Sequence, residues 1–247
     1  MAPRNVFEAL KGRWKPEWVA LPTIEALAPY LDKIGNGAAT IASVKREHVA
    51  AGKLTSAGIR DKVRQTAAAE VVPALKRARH ALDASKAAVA AHRARLMDAP
   101  IDKTDIVGAM VRQEIRTQLA SLDQGQRMEL LLNGDQRIYD AWRELPTFVP
   151  VPADFMGELQ ERRLEARDPV AMEELREASE AIEIVETMWR AATEELREAA
   201  EFEKRDPEFL AFTAEAEAAA TSGGGMNLDD LVAQQRKRYG LPADLRA

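Results

Sequence analysis

Along the middle of the chain, Leu75, Ala78, Leu82, Ser85, Val89, His92 and Leu96 recur at alternating steps of three and four residues. An average step of 3.5 keeps one stripe of a helix on one partner, which is the heptad signature of a coiled coil. A second run begins after Asp168-Pro169, a residue pair suited to an N-cap and first helical turn. It comprises Ala171, Leu175, Ala178, Ile182, Val185, Trp189, Ala192, Leu196 and Ala199. Small or medium residues alternate with large ones, so two such stripes can interdigitate. The pattern predicts an antiparallel coiled-coil hairpin pairing residues 68–97 with residues 171–202.

Elsewhere the apolar spacing is shorter-ranged. IEALAPYL and AATIASVKREHVA read as two helical segments broken at Gly35, Asn36 and Gly37. Thr55 is placed to cap the helix that leads into the first heptad run, and Pro73, lacking an N–H, marks a kink within it. Thr104 is expected to cap a helix carrying Ile106, Met110 and Ile115. Ser121 with Gln124 reads as a capping box before MELLLN, which Asn133-Gly134 closes. IYDAWREL ends at Pro146, the proline-rich link that follows is expected to be extended, and Asp206-Pro207 restarts a helix.

These elements imply an all-α fold: an elongated helical bundle with a long hairpin, a small inserted helical subdomain and a tethered C-terminal helix. The segmentation is 1–54 as an N-terminal helical clasp, 55–97 as a basic arm and 98–168 as the inserted subdomain. An acidic arm (169–221) and a glycine-tethered docking helix (222–247) complete it. Composition agrees, since 46% of the 247 residues are hydrophobic while only 5% are aromatic and 30% are charged. That balance suits helices with thin apolar seams.

The formal net charge of −5 conceals a segregation. Residues 45–95 hold 12 Lys+Arg against 4 Asp+Glu (net +8), and residues 153–220 hold 8 against 20 (net −12). The two arms are therefore electrostatic complements, although exposed pairs set orientation more than stability. Lys45, Arg46, Lys53, Arg60, Lys62, Arg64, Lys76, Arg77 and Arg79 could instead track phosphates, which makes nucleic acid the less favoured partner.

Catalytic and metal chemistry find little footing. There is no cysteine, so thiolate ligands and nucleophiles are excluded. His48, His80 and His92 form no HxxxH or HExxH pair, and His92 reads as a hydrogen-bonded core residue. Glu174, Glu177, Glu180, Glu183 and Glu186 recur every three residues, a row that drifts around a helix and reads as a solvated face opposing the basic arm. Phosphate-binding loops and nucleophile elbows do not occur. The expectation is a non-enzyme without cofactor or metal. No apolar run reaches the roughly 18 residues of a membrane helix, so no membrane partner is expected.

Three features point to protein contacts. The stretch IRTQLASLDQGQRMELLLNGD, IYDAWRELPTF and the charged helix after RDP, within about residues 106–200, resembles uncharacterised helical structural and assembly proteins of tailed bacteriophages. That resemblance implies a virion or assembly role, in the virion or the host cytoplasm, with other phage structural subunits as partners and an oligomeric assembly. A scaffolding-type protein or a bacterial cytoplasmic coiled-coil adaptor is the alternative.

The second feature is the tail after Gly223-Gly224-Gly225. Asn227 is placed as a cap; Leu228, Leu231, Val232 and Tyr239 share one face; Arg236, Lys237 and Arg238 fill the last turn. So short a helix needs a groove. The third is RWKPEW, whose Trp14 and Trp18 read either as a clasp on the bundle or as an anchor on a partner.

Overall fold

The computed structural model describes residues 4–97, 102, 104–203 and 207–222. They form helices α1 (Arg4–Lys11), α2 (Ala28–Ala51), α3 (Ser56–Thr66), α4 (Val72–Met97), α5 (Ile106–Ser121), α6 (Gln124–Asn133), α7 (Gln136–Glu144), α8 (Ala153–Arg167), α9 (Pro169–Ala199) and α10 (Pro207–Ser222). No strand occurs among the described residues, so the class is all-α. The chain divides into two units, the first made of residues up to Ala91 and from Arg176 onward, the second of His92–Leu175. The division falls within α4 and within α9.

In the first unit, α2 runs unbroken through Gly35-Asn36-Gly37, contrary to the predicted interruption. The glycines serve packing. A Cβ on Gly37 would lie 3.2 Å from Val71 Cγ1, so the bare backbone lets the segment before α4 close onto α2. α2 and α3 form a helical hairpin around Gly52, which ends α2 at φ +61°. Thr55 caps α3 as expected, its Oγ1 accepting from the Gly58 N–H at 3.2 Å. Ahead of Pro73 the backbone widens into one π-helical turn, Ala67–Val71. Such a turn absorbs the missing donor and the steric crowding of a proline without breaking the helix.

α9 runs antiparallel to α3 and α4. Arg64 Nε donates to the Ala200 carbonyl (3.0 Å), Trp189 Nε1 to the Leu75 carbonyl (2.9 Å), and Arg79 approaches Glu186 at 3.7 Å. Numbers rise on one strand of contacts as they fall on the other. The buried face of α9 is wider than a two-stranded seam, because Ala181, Ile184 and Met188 are buried beside Ala178, Ile182 and Val185. These helices share their core with Trp18, Ile24, Leu27, Ile34 and Ile41 from the first 41 residues. The antiparallel helices are thus part of a multi-helix core, not the two-stranded coiled-coil hairpin that the heptad spacing predicts.

α9 closes with paired reversed hydrogen bonds, Glu201 N–H to the Glu198 carbonyl (3.2 Å) and Phe202 N–H to the Arg197 carbonyl (3.0 Å). This is the Schellman pattern, and it puts Glu201 at φ +58°, a conformation that favours glycine.

The second unit has a smaller core of Leu119, Leu131, Tyr139, Trp142, Val149, Phe155 and Leu159. Three of its helices, α5, α6 and α7, open on aspartates. Asp105 Oδ1 accepts from Gly108 N–H (2.8 Å), Asp123 Oδ1 from Gln126 N–H (2.9 Å), and Asp135 from Arg137 N–H. The expected caps Thr104 and Ser121 are displaced. Thr104 instead donates to Asp102 (2.7 Å), and Ser121 donates back to the Gln118 carbonyl (2.6 Å). An aspartate one or two residues further on competes better for the helix amides because it adds charge to the hydrogen bond. The expected extended link begins with a 3-10 turn, Pro146–Phe148, before α8.

Arginines stitch this unit to its own backbone. Arg163 is buried, and its Nε and Nη1 donate to the carbonyls of Leu131 (2.7 Å) and Gly134 (2.6 Å) at the end of α6. Arg127 reaches the carbonyls of Leu119 (3.2 Å), Leu122 (3.1 Å) and Pro150 (3.1 Å). Five donors in a planar fork can satisfy several terminal carbonyls where a lysine would reach fewer.

Candidate interaction surface

Helix α5 is built with its apolar residues on two sides. Arg112 Nε and Arg116 Nη1 both reach Glu144 Oε2, at 3.2 and 2.5 Å, and Arg116 also donates to the Ala141 carbonyl at 3.1 Å. The side chains of both arginines are only 13% exposed. They orient α5, turning the face of Leu119 and Ile115 towards α7 and the small core. The two hydrogen bonds hold the Glu144 carboxyl below its ordinary range, Arg116 contributing most.

With that face committed, the other apolar row points outward. Ile106 is 74% exposed, Val107 72%, Met110 68% and Val111 44%. At 100° per residue these positions form one contiguous stripe over the first two turns. Leu145 and Phe148 are exposed as well. Leu145 follows Glu144 directly, at the end of α7 that the arginines tie to α5, and Phe148 ends the 3-10 turn after it. Scattered exposed apolar side chains are ordinary, whereas a contiguous helical stripe marks a contact surface.

The residues singled out from the sequence fare differently. In the predicted seam Leu75, Leu82, Leu175, Ile182 and Leu196 are buried, whereas Val89, Leu96 and Trp189 are half-buried. His92 is also half-buried, not a core residue as predicted. Trp18 is 0% exposed, which rules it out as a surface anchor; Trp14 is half-buried and stands edge-on to it at 5.4 Å. Beside them Lys15 hydrogen-bonds Glu177 (3.1 Å), and Arg13 pairs with Glu180 (3.5 Å) on α9. Leu228, Leu231, Val232, Arg236, Lys237, Arg238 and Tyr239 lie outside the described residues.

Of the glutamate row, Glu174 and Glu183 are exposed, and Glu186 is engaged with Lys86 (2.8 Å) and Arg190 (2.8 Å). Lys86 above all holds the Glu186 carboxyl below its ordinary range. Basic-arm residues also have internal partners: Lys76 meets Glu217 (3.3 Å), and Arg64 stacks on Phe202 at 3.8 Å.

The outward stripe of α5 escaped the sequence reading, which named Ile106, Met110 and Ile115 as apolar residues of one helix and assigned them no face. Val107 and Val111 carried the signal. They make a second apolar row, more than one face of a short helix can bury against a single neighbour. Among the described residues no group of three or more His, Cys, Asp or Glu side chains could hold a metal ion, and no helix is long and apolar enough to cross a membrane. The chain matches no protein family model, no curated protein and no solved structure.

Proposed function

We propose that this protein is a non-enzymatic structural or assembly component that works through protein–protein contacts. The observation that carries the reading is the outward stripe of Ile106, Val107, Met110 and Val111. Leaving such side chains in water forgoes about 1.5–3 kcal/mol each relative to full burial, and a binding partner recovers part of that. The resemblance of residues 106–200 gives the reading its specific form, a tailed-phage virion or scaffolding-type component; a cytoplasmic adaptor would use the same surface.

Sedimentation of the full chain over a wide concentration range tests the contact. The wild type is expected to associate, and Val107→Glu to shift it to smaller species with unchanged helicity. A chain that stays monomeric, alone and with the products of adjacent genes, would sink the reading. Those adjacent genes separate virion component from adaptor.

A second reading has its own observation. The α2–α3 hairpin carries Lys45, Arg46, Lys53 and Lys62, none of which pairs with a carboxylate among the described residues, and the exposed Val49 and Leu54. Retention on heparin that collapses with salt would favour nucleic-acid contact; passage through at low salt removes it.

A further inference from the structure

We propose that the stripe on α5 receives the tail helix, residues 227–239, of a second copy of this chain. The proposal rests on the contact reading above and names the occupant. Two candidates compete for the stripe within this protein alone: the same stripe on another copy, and the tail.

Charge separates them. The stripe is rimmed by exposed acids, Asp102 and Asp105 before its first turn and Glu114 one turn beyond it. Lys103 lies between the two aspartates and leaves the rim net acidic. Two copies of α5 packed antiparallel about the centre of the stripe, near residue 109, would set Glu114 of each against Asp105 of the other. Like charges across an apolar contact oppose it. Parallel packing superposes the same acids and does no better.

The tail carries the complement. Its sequence places Leu228, Leu231, Val232 and Tyr239 on one face, Asp229 and Asp230 in the first turn, and Arg236, Lys237 and Arg238 in the last. Laid antiparallel on α5, the three cations fall beside Asp102 and Asp105, with Leu231 and Val232 over Val107 and Met110. A parallel alignment would instead set Asp229 and Asp230 against Asp102 and Asp105 and leave the cations only Glu114, so the charges choose the orientation too. A helix of about 12 residues is marginal alone, and an apolar stripe of matching pitch is what it needs.

The chain has no cysteine, so introduced thiols report cleanly. Copies bearing Met110→Cys are mixed with copies bearing Leu231→Cys and oxidised gently. The expected product is the mixed disulfide dimer. Full-length Arg236→Glu/Lys237→Glu/Arg238→Glu is expected to lose it roughly tenfold or more, and Asp102→Lys in the recipient copy to recover part of the loss with that reversed tail. Met110–Met110 position dimers as the main product would overturn the tail assignment while leaving a contact function standing. Closure within a doubly substituted chain, in preference to the mixed dimer, would overturn it as well. Absence of any cross-link, together with a wild type that sediments as a monomer, would remove both the assignment and the contact reading.

Discussion

The two units solve the same problem, holding helices together, with different chemistry. The first buries a broad apolar face, running from Trp18 through Ile34 and Leu82 to Ile184 and Met188, and adds carboxylate pairs at its edges such as Lys86–Glu186. The second has fewer large side chains in its core and relies on arginines that hydrogen-bond helix-terminal carbonyls, above all Arg163 and Arg127. A core of large apolar residues gains from area, without direction; a guanidinium fork gains from geometry. The second design also leaves apolar surface over, because arginines now hold the position on α5 that apolar residues would take. The exposed stripe is therefore a by-product of how that unit is stitched, and the natural place for a contact.

The sharpest way to break the comparison is to remove one support from each unit. Leu82→Ala, at a wholly buried site in the first unit, is expected to cost about 2–5 kcal/mol, read as a lowered urea midpoint. Arg163→Lys keeps the charge and loses the fork in the second unit. It should cost about 1–3 kcal/mol by leaving buried carbonyls short of donors. If Arg163→Lys is silent in chemical denaturation, the stitched-core account of the second unit is wrong.

A gain is expected at the end of α9. Glu201 holds φ +58° in the Schellman turn, and Glu201→Gly should stabilise by about 1 kcal/mol by relieving the left-handed strain. An unchanged or lower melting temperature would contradict that geometry.

The smallest effect is the pH dependence of the two carboxylates. Glu144 in the second unit and Glu186 in the first are both held below the ordinary 4.5. A carboxyl whose folded pKa is depressed contributes stability above its unfolded value and loses it as pH falls through the folded value. Glu144→Gln and Glu186→Gln should therefore be less stable than wild type at pH 7. The gap should close below about pH 4, within the ordinary carboxylate range. A gap that persists at acid pH would mean shape, not charge, is what these residues supply.

Much of the local structure was legible. Thr55 and Asp168-Pro169 announced helix starts, since a capping side chain next to a clean apolar register leaves little choice; the Ala171 N–H does donate to Asp168 (3.0 Å). Where two candidate caps stood close together, as Thr104 with Asp105 or Ser121 with Asp123, the backbone took the charged one. Gly37 misled because a glycine read locally as a break is, in the folded chain, an empty place for Val71. Arg163 and Arg127 were illegible, because nothing in the neighbouring sequence says that a distant helix end needs donors.

Helical class, the positions of the apolar stripes and the opposition of basic and acidic arms were determined by the sequence itself. Each depends on residues within a few turns of one another, or on charge that does not need a partner to exist. Which stripe is covered was decided only in the tertiary structure. Periodicity marks a face without naming its neighbour, and burial is settled by competition among all the elements that could occupy the same space. On α5 that competition went to Arg112, Arg116 and their carbonyl and carboxylate partners, and Ile106, Val107, Met110 and Val111 were left facing water.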